Sequence, residues 1–463
     1  MKRIAIILYL IICTHAYLSA QQSLPIIRLT GTFGSDYQSG TIEIEGQTYP
    51  MTAKWRGAST GGSEKHKHNY KIKLERDYSF FGMREDNNWI LDAGQVDPFR
   101  LRNRIATDLW LEFARTPYYA NERLNPLNGA RGRVVELYLN GQYEGIYSFG
   151  ENMDRKQMQL KKYDAQIHGL LWKAIGYEYT TMWDCSDQYD NSQPMWGSFE
   201  VKYPDFDDYH ITDFEPLFQA VHFVVNSTDE EFAAHVADYF DLPVVMDYII
   251  FVNVLGAMDN LGKNTVWAIY DSQSNDHRLT PAVWDVDLSV ASPQLAYYNP
   301  DLVDPYFTVF GGINLGHRLL NLNVDNWNTR FYQRYMQLRQ GVLHTDSLIK
   351  RYHDTAEWLE ATGAAQREID RWSGDSDIHG RAINFRADAD SIAHWLSIHL
   401  PHLDTVLCDT AIQRYVGIRE VAAKQNSHQS DAIYNLQGQR QRSDLPLRPG
   451  IYIRKGRKFI VKQ

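Results

Sequence analysis

The 463-residue chain has little cysteine and no internal repeat, and each shortage removes a class of protein. Three cysteines are present, Cys13, Cys185 and Cys408, and none has a Cys or His partner at the spacing of a zinc site. The longest leading apolar stretch, Ile4 to Ile12, is about half of the roughly 20 residues that a membrane-spanning helix requires. No Gly-Lys-Ser/Thr phosphate loop and no Asp-Phe-Gly triplet occurs, so neither a P-loop enzyme nor an ordinary protein kinase is written here. A basic-aromatic stripe is missing as well. The net charge of −10 contains +2 from residues 1–20 and +7 from residues 432–463, which leaves −19 on the body, a surface that repels nucleic acid.

What is present begins with an export leader. Lys2 and Arg3, the apolar run and the small Ser19-Ala20 end predict a signal peptide over residues 1–20, cleaved before Gln21. Ile12 is too bulky a neighbour for Cys13 to be a lipidation site, so removal of the leader leaves Cys185 and Cys408 as a single candidate disulfide.

Alternation of apolar and polar residues predicts strands at Thr41–Glu45, Met51–Trp55 and Tyr70–Leu74, then at Arg133–Leu139 and Tyr143–Phe149 around the hairpin signal Asn140-Gly141. Asp97-Pro98 reads as a helix start with an apolar stripe at Leu101, Ile105, Leu109 and Leu111. Residues 23–150 are therefore expected to form a β-rich lobe with one inserted helix. Residues 151–424 read as mainly helical, with an almost wholly apolar helix after Asp241-Leu242-Pro243 that must be buried nearly all round. Residues 430–463 form a small β unit behind the polar linker Lys424 to Ser430. The fold class is α+β.

Chemistry concentrates in two acidic stretches. Asp259-Asn260-Leu261-Gly262-Lys263-Asn264 has the Asp-x4-Asn spacing of a kinase catalytic loop, in which Asp receives a hydroxyl proton and Asn holds metal. Trp284-Asp285-Val286-Asp287 follows the hairpin Thr265–Tyr270 and Leu279–Val283, and alternation in an extended segment puts Asp285 and Asp287 on one face as metal ligands. Each stretch alone is also what a helix C-terminal turn or a solvated strand end looks like.

A phosphate-binding cation is expected from the β lobe, at Lys71 or Lys73 behind the small-residue turn Arg56 to Ser63, with Arg56 as a further candidate. Trp284 is placed to stack on an adenine ring or to pack in the core, and Glu151 to line the cleft or cap the segment after it. His66 and His68 read as surface rather than as metal ligands.

Arg56-Gly57-Ala58-Ser59, Tyr70 to Leu74, Leu101-Arg102-Asn103, Leu139-Asn140-Gly141-x-Tyr143-x-Gly145-x-Tyr147, Glu151, Asp259 to Asn264 and Trp284-Asp285-x-Asp287, in this order, resemble the spore-coat protein H (CotH) family of atypical kinases, from about Ile26 to Leu320. The resemblance implies a divergent two-lobed protein-kinase-like fold, with a β-rich N-lobe and a mainly helical C-lobe. It further implies ATP with Mg²⁺ or Mn²⁺, and transfer to Ser or Thr hydroxyls of a protein substrate. In it Asp259 is the catalytic aspartate, Asn264, Asp285 and Asp287 hold metal, and Lys71 or Lys73 contacts phosphate.

The aromatic segment Tyr177 to His210 departs from the family core. The last unit resembles the C-terminal sorting modules of proteins that Bacteroidetes-type bacteria export by the type IX system. That implies passage through the periplasm to the cell surface or medium, with the outer-membrane secretion machinery as a partner. Two rivals stand beside the kinase: a non-catalytic pseudokinase adhesin of the same fold, and a glycosyltransferase using Asp285-x-Asp287 for a nucleotide-sugar.

Overall fold

The computed structural model describes residues 23–57, 61–123, 126–306, 312–407, 433–435, 450–454 and 457–461. The expected leader, Cys13, Cys408, Ala58 to Thr60 and the Lys424 to Ser430 linker lie outside the described residues. The described residues up to Leu407 form one unit, and those from Ile433 onward belong to a second. Among the described residues no helix is long and apolar enough to cross a membrane.

The N-terminal strands are β1 (Ile26–Thr30), β2 (Gln38–Ile44), β3 (Gln47–Arg56), β4 (Asn69–Tyr78), β5 (Asp86–Asp92), β6 (Gly132–Leu139) and β7 (Gln142–Glu151). They do not form an open sheet. They close into a barrel in the order β1-β2-β3-β4-β5-β7-β6, with β1 running parallel to β6 and Ile27 opposite Leu137. Closure leaves no strand edge unpaired. The period-2 pattern fills the interior: β4 buries Tyr70, Ile72 and Leu74 and turns Lys71 and Lys73 outward. At the β6–β7 turn Asn140 (φ 50°) and Gly141 (φ 81°) take the left-handed conformations that a tight hairpin demands.

The inserted helix α1 (Arg102–Phe113) starts later than Asp97-Pro98 suggests. Asp97 accepts from Phe99 N at 3.0 Å and Arg102 N at 3.0 Å, and pairs with the Arg102 guanidinium. Arg100, at φ 64°, breaks any helix before Arg102.

The region after Glu151 is less helical than its sequence reads. β8 (Leu170–Ala174), β9 (Met195–Trp196), β10 (Phe199–Tyr203), β11 (Thr265–Ile269) and β12 (Thr280–Val283) make an antiparallel sheet in the order β12-β11-β8-β10-β9. β11 and β12 are the expected hairpin, whereas β8, β9 and β10, short strands divided by a long aromatic loop, carry too little periodicity to be seen in one dimension.

The longer helices are α2 (Glu215–Asn226), α3 (Asp229–Tyr239), α4 (Leu242–Leu255), α5 (Asn314–Asn321), α6 (Trp327–Arg339), α7 (Thr345–Ala361), α8 (Ala364–Trp372) and α9 (Phe385–Val406). As expected, α4 is buried along its length except at Pro243, and Gly256 (φ 58°) stops it in a left-handed cap.

One buried contact joins α8 to the barrel. Glu368, fully buried, accepts from Lys67 Nζ at 2.9 Å, Arg100 Nε at 2.6 Å and Ile146 N at 2.7 Å. A Cβ on Gly145, whose φ is 120°, would lie 2.4 Å from the Glu368 carboxylate, so no other residue fits there. In the second unit β13 (Ile433–Asn435), β14 (Gly450–Arg454) and β15 (Arg457–Val461) pair as a three-stranded antiparallel sheet.

Candidate active site in a charged cleft

The buried helix α4 leads directly into the site. After the Gly256 cap a single 3-10 turn, Met258–Leu261, presents Asp259. Tyr248, on α4, donates to Asn260 O at 2.6 Å, and Asn260 Nδ2 donates to Trp284 O at 2.9 Å, so helix, turn and strand end are tied together.

Asp259 is held by three donors. Lys263 Nζ reaches Oδ2 at 2.9 Å, Asn264 Nδ2 reaches the same oxygen at 3.1 Å, and Tyr177 Oη donates to Oδ1 at 2.7 Å. Burial draws the Lys263 ammonium down, but its bond to Asp259 and the charges of Asp259, Asp285 and Asp287 outweigh it and raise it overall. The Tyr177 phenol is pushed well up, first by burial and then by the Asp259 carboxylate.

A cleft of about 230 Å³ opens beside this turn, lined from the barrel by Arg56, Asp92, Arg131 and Glu151 and from the second sheet by Lys173, Asn264, Asp285 and Asp287. Asn264 (φ 58°) donates to Asp285 O at 3.4 Å, which brings the two acidic stretches together. The segment is not extended, however. Asp285 takes a left-handed conformation at φ 53°, so both aspartates enter the cleft through a turn rather than by strand alternation. Val286 N donates to Asn103 Oδ1 at 2.9 Å while Asn103 Nδ2 donates to Asp92 Oδ2 at 2.7 Å, so one amide positions acidic groups from β5 and from the Asp285 turn.

The electrostatics are those of crowded negative charge. Asp285 keeps accessible surface within the cleft yet is surrounded by protein. Burial raises its carboxyl, Lys173 opposes the rise and Asp92 adds to it. Asp287 is pushed well above the ordinary carboxylate value, first by burial and then by Asp285, Asp92, Asp97 and Asp259. Closely spaced hard oxygen donors are what Mg²⁺ or Mn²⁺ takes, so Asn264, Asp285 and Asp287 fit a divalent ion.

Besides Lys263, the cleft holds a lysine that the sequence did not suggest. Lys71 and Lys73 lie on the outer face of β4 and do not line the cleft, whereas Lys173 on β8 does. Burial lowers Lys173 to about 8, against the opposing pull of Asp285. A single lysine inside the apolar run Leu170 to Ala174 was the signal available. Trp284 has Arg56 and Lys173 over its ring, at 5.1 Å and 5.4 Å from the centroid. Glu151 ends β7 in the cleft wall. Burial raises its carboxyl, but hydrogen bonds from Arg131 and from Arg84 N more than reverse this and lower it. Tyr177, Asp92 and Arg131 were not singled out from sequence, because each belongs to a different element and only the fold brings them to Asp259.

Elsewhere, His66, Asp375 and Asp377 offer ligand atoms within 4.8 Å of one another. Their oxygens are already engaged: Asp377 Oδ2 accepts from His66 N, Lys67 N and Gln95 Nε2, and His66 Nδ1 lies 2.8 Å from Asp375. His68 stacks on Trp55 at 3.7 Å. Cys185 is a free thiol.

A family model described as CotH kinase protein matches residues 53–397. It begins later than the Ile26 start of the resemblance and runs past its Leu320 end, through α8 into α9. No curated protein matches the chain.

Proposed function

The chain belongs to the CotH kinase family, and on that premise we propose that it is an exported atypical protein kinase that transfers the γ-phosphoryl group of ATP to Ser or Thr hydroxyls of a protein substrate. The observation that carries this reading is the meeting of Asp259, Lys263 and Asn264 with Asp285 in one cleft. Barrel and helical region are read as the two lobes of a divergent kinase.

In the proposed reaction Asp259 accepts the proton of the acceptor hydroxyl and orients it toward the phosphorus. Asn264, Asp285 and Asp287 would hold Mg²⁺ or Mn²⁺, which when bound offsets the negative charge of the phosphates. Lys173, Lys263 and Arg56 supply the protein's own positive charge at the cleft. The leader, the surface destination and the sorting role of the last unit rest on sequence pattern, as does the secretion machinery as a partner.

A second reading, a pseudokinase adhesin, is favoured by Trp183 and Tyr209, which expose 49% and 41% of their surface on the aromatic loop. A glycosyltransferase is disfavoured by the antiparallel sheet beneath Asp285, where a nucleotide-binding sheet would be parallel. Labelled ATP with Mg²⁺ or Mn²⁺ tests the kinase directly. Asp259→Ala and Asp285→Ala should lower transfer by about 10²–10⁴-fold, and equal labelling by both variants and the parent chain would remove the assignment.

A further inference from the structure

The acceptor position at Asp259 is already filled by the protein's own Tyr177. Its hydroxyl donates to Asp259 Oδ1 at 2.7 Å, while Lys263 and Asn264 take Oδ2. This is the bond that a hydroxyl nucleophile makes to its general base before transfer.

The contact is built into the loop that follows β8. Ile175 N donates to Ser198 O at 2.9 Å and Thr180 Oγ1 to Gly176 O at 2.7 Å. Beyond it, Asn314 N donates to Thr181 O and Asn314 Nδ2 to Met182 O, each at 2.9 Å. The loop lies directly on the catalytic turn. A Cβ on Gly262 would clash with Thr181 Cγ2 at 2.6 Å and press on Tyr177 Cδ1 at 3.0 Å, so the loop lies against this turn with no room for a side chain. Tyr177 nonetheless keeps 53% of its surface exposed. It is held at the base without being enclosed.

We propose that Tyr177 is an intramolecular phosphoryl acceptor of this site, a modification site that rests on the kinase reading and extends it from Ser and Thr substrates to one tyrosine of the chain itself. The bond from Tyr177 Oη to the γ-phosphorus of a nucleoside triphosphate forms. The bond from that phosphorus to the β,γ-bridging oxygen breaks, and the nucleoside diphosphate leaves with its electron pair. The phenolic proton passes to Asp259 Oδ1 and then to water. The new phosphate carries about −1.5 to −2 charge next to Asp259, Asp285 and Asp287, and repulsion moves it out of the acceptor position.

The full chain is incubated with γ-labelled ATP and Mg²⁺ or Mn²⁺, with and without an added mixture of basic proteins, and the phosphorylated residues are assigned by fragmentation of peptides. The expected result is alkali-stable phosphotyrosine at Tyr177, formed at a rate independent of chain concentration and absent from Tyr177→Phe, which removes only the hydroxyl. Asp259→Asn should lower that labelling at least 100-fold. Label on the added proteins or on other residues of the chain, with Tyr177 unmodified, overturns this inference and leaves the kinase reading standing. A rate that rises with chain concentration overturns its intramolecular form. Absence of any transfer or nucleotide turnover in the parent chain overturns both.

Discussion

Two sets of titratable groups beside the barrel are handled in opposite ways. At the α8 contact the Glu368 carboxylate meets Lys67, Arg100 and the Ile146 N–H; burial raises it, but these partners outweigh burial and lower it overall. In the cleft Asp285 and Asp287 gather near Asp92 and Asp259, and their carboxyls are raised. Fold stability explains the first set, since each charge has a partner. It does not explain the second. Like charges crowded at one point of a cleft cost folding energy and persist where they bind or react with something.

The sharpest way to break the comparison is at Glu368. Glu368→Ala strands Lys67 and Arg100 without their carboxylate in the interior and should lower unfolding free energy by about 3–5 kcal/mol in urea titrations. A loss below about 1 kcal/mol would mean that the tie is no more structural than the cleft.

The cleft should respond to cation where the tie does not. At 100 times its Kd, Mg²⁺ or Mn²⁺ should stabilise the parent chain by about 2.7 kcal/mol, read as a rise in Tm that Asp285→Asn removes. A rise of equal size in Asp285→Asn would place the cation elsewhere, and His66→Ala would show whether Asp375 and Asp377 hold it.

Lysine substitutions sharpen the contrast within the barrel and sheet. Lys173→Met should reduce phosphoryl transfer by about 10–100-fold, on the scale of one lost charge-assisted contact of about 1.5–3 kcal/mol, while Lys71→Ala and Lys73→Ala stay within about threefold. Reversed sensitivities in steady-state kinetics would return the phosphate contact to β4.

The smallest expected effect lies in pH. Asp287 has a folded-state pKa above its unfolded value of 3.8, so the folded chain holds more protons in that window and stability falls as pH rises through it. Glu368 runs the other way: its folded value lies below 4.5, and its contribution is lost as pH falls through that lower value. Asp287→Asn should therefore be more stable than the parent at pH 7 by on the order of 1 kcal/mol, with the gap closing in denaturant titrations below pH 4.

Local signals in the chain were legible where one element carries them. β4, the Asn140-Gly141 hairpin and the buried helix after Asp241 follow from periodicity and turn chemistry. The start of α1 was not legible, because Asp97 bonds forward to Phe99 and Arg102 instead of capping where it stands. Of the candidate site, Asp259, Asn264, Asp285 and Asp287 were found through spacing along one stretch of chain, and the structure places all four around one cleft. Lys71 and Lys73 sit instead on an outward face, and Lys173 enters from a strand whose paired residues are 25 to 32 or 93 to 99 positions away in the sequence.

By itself the sequence determined the alternation that builds the strands, the apolar helix that delivers Asp259 and the spacing of the two acidic stretches. Those depend on neighbours a few residues apart. Closure of the barrel, the choice of Lys173, the approach of Asp92 through Asn103 and the capture of Asp259 by Tyr177 were decided only in three dimensions. Pairing of β1 with β6 and of β8 with β11 joins segments far apart in the chain, and which side chains then share a cleft follows from register and packing rather than from local propensity.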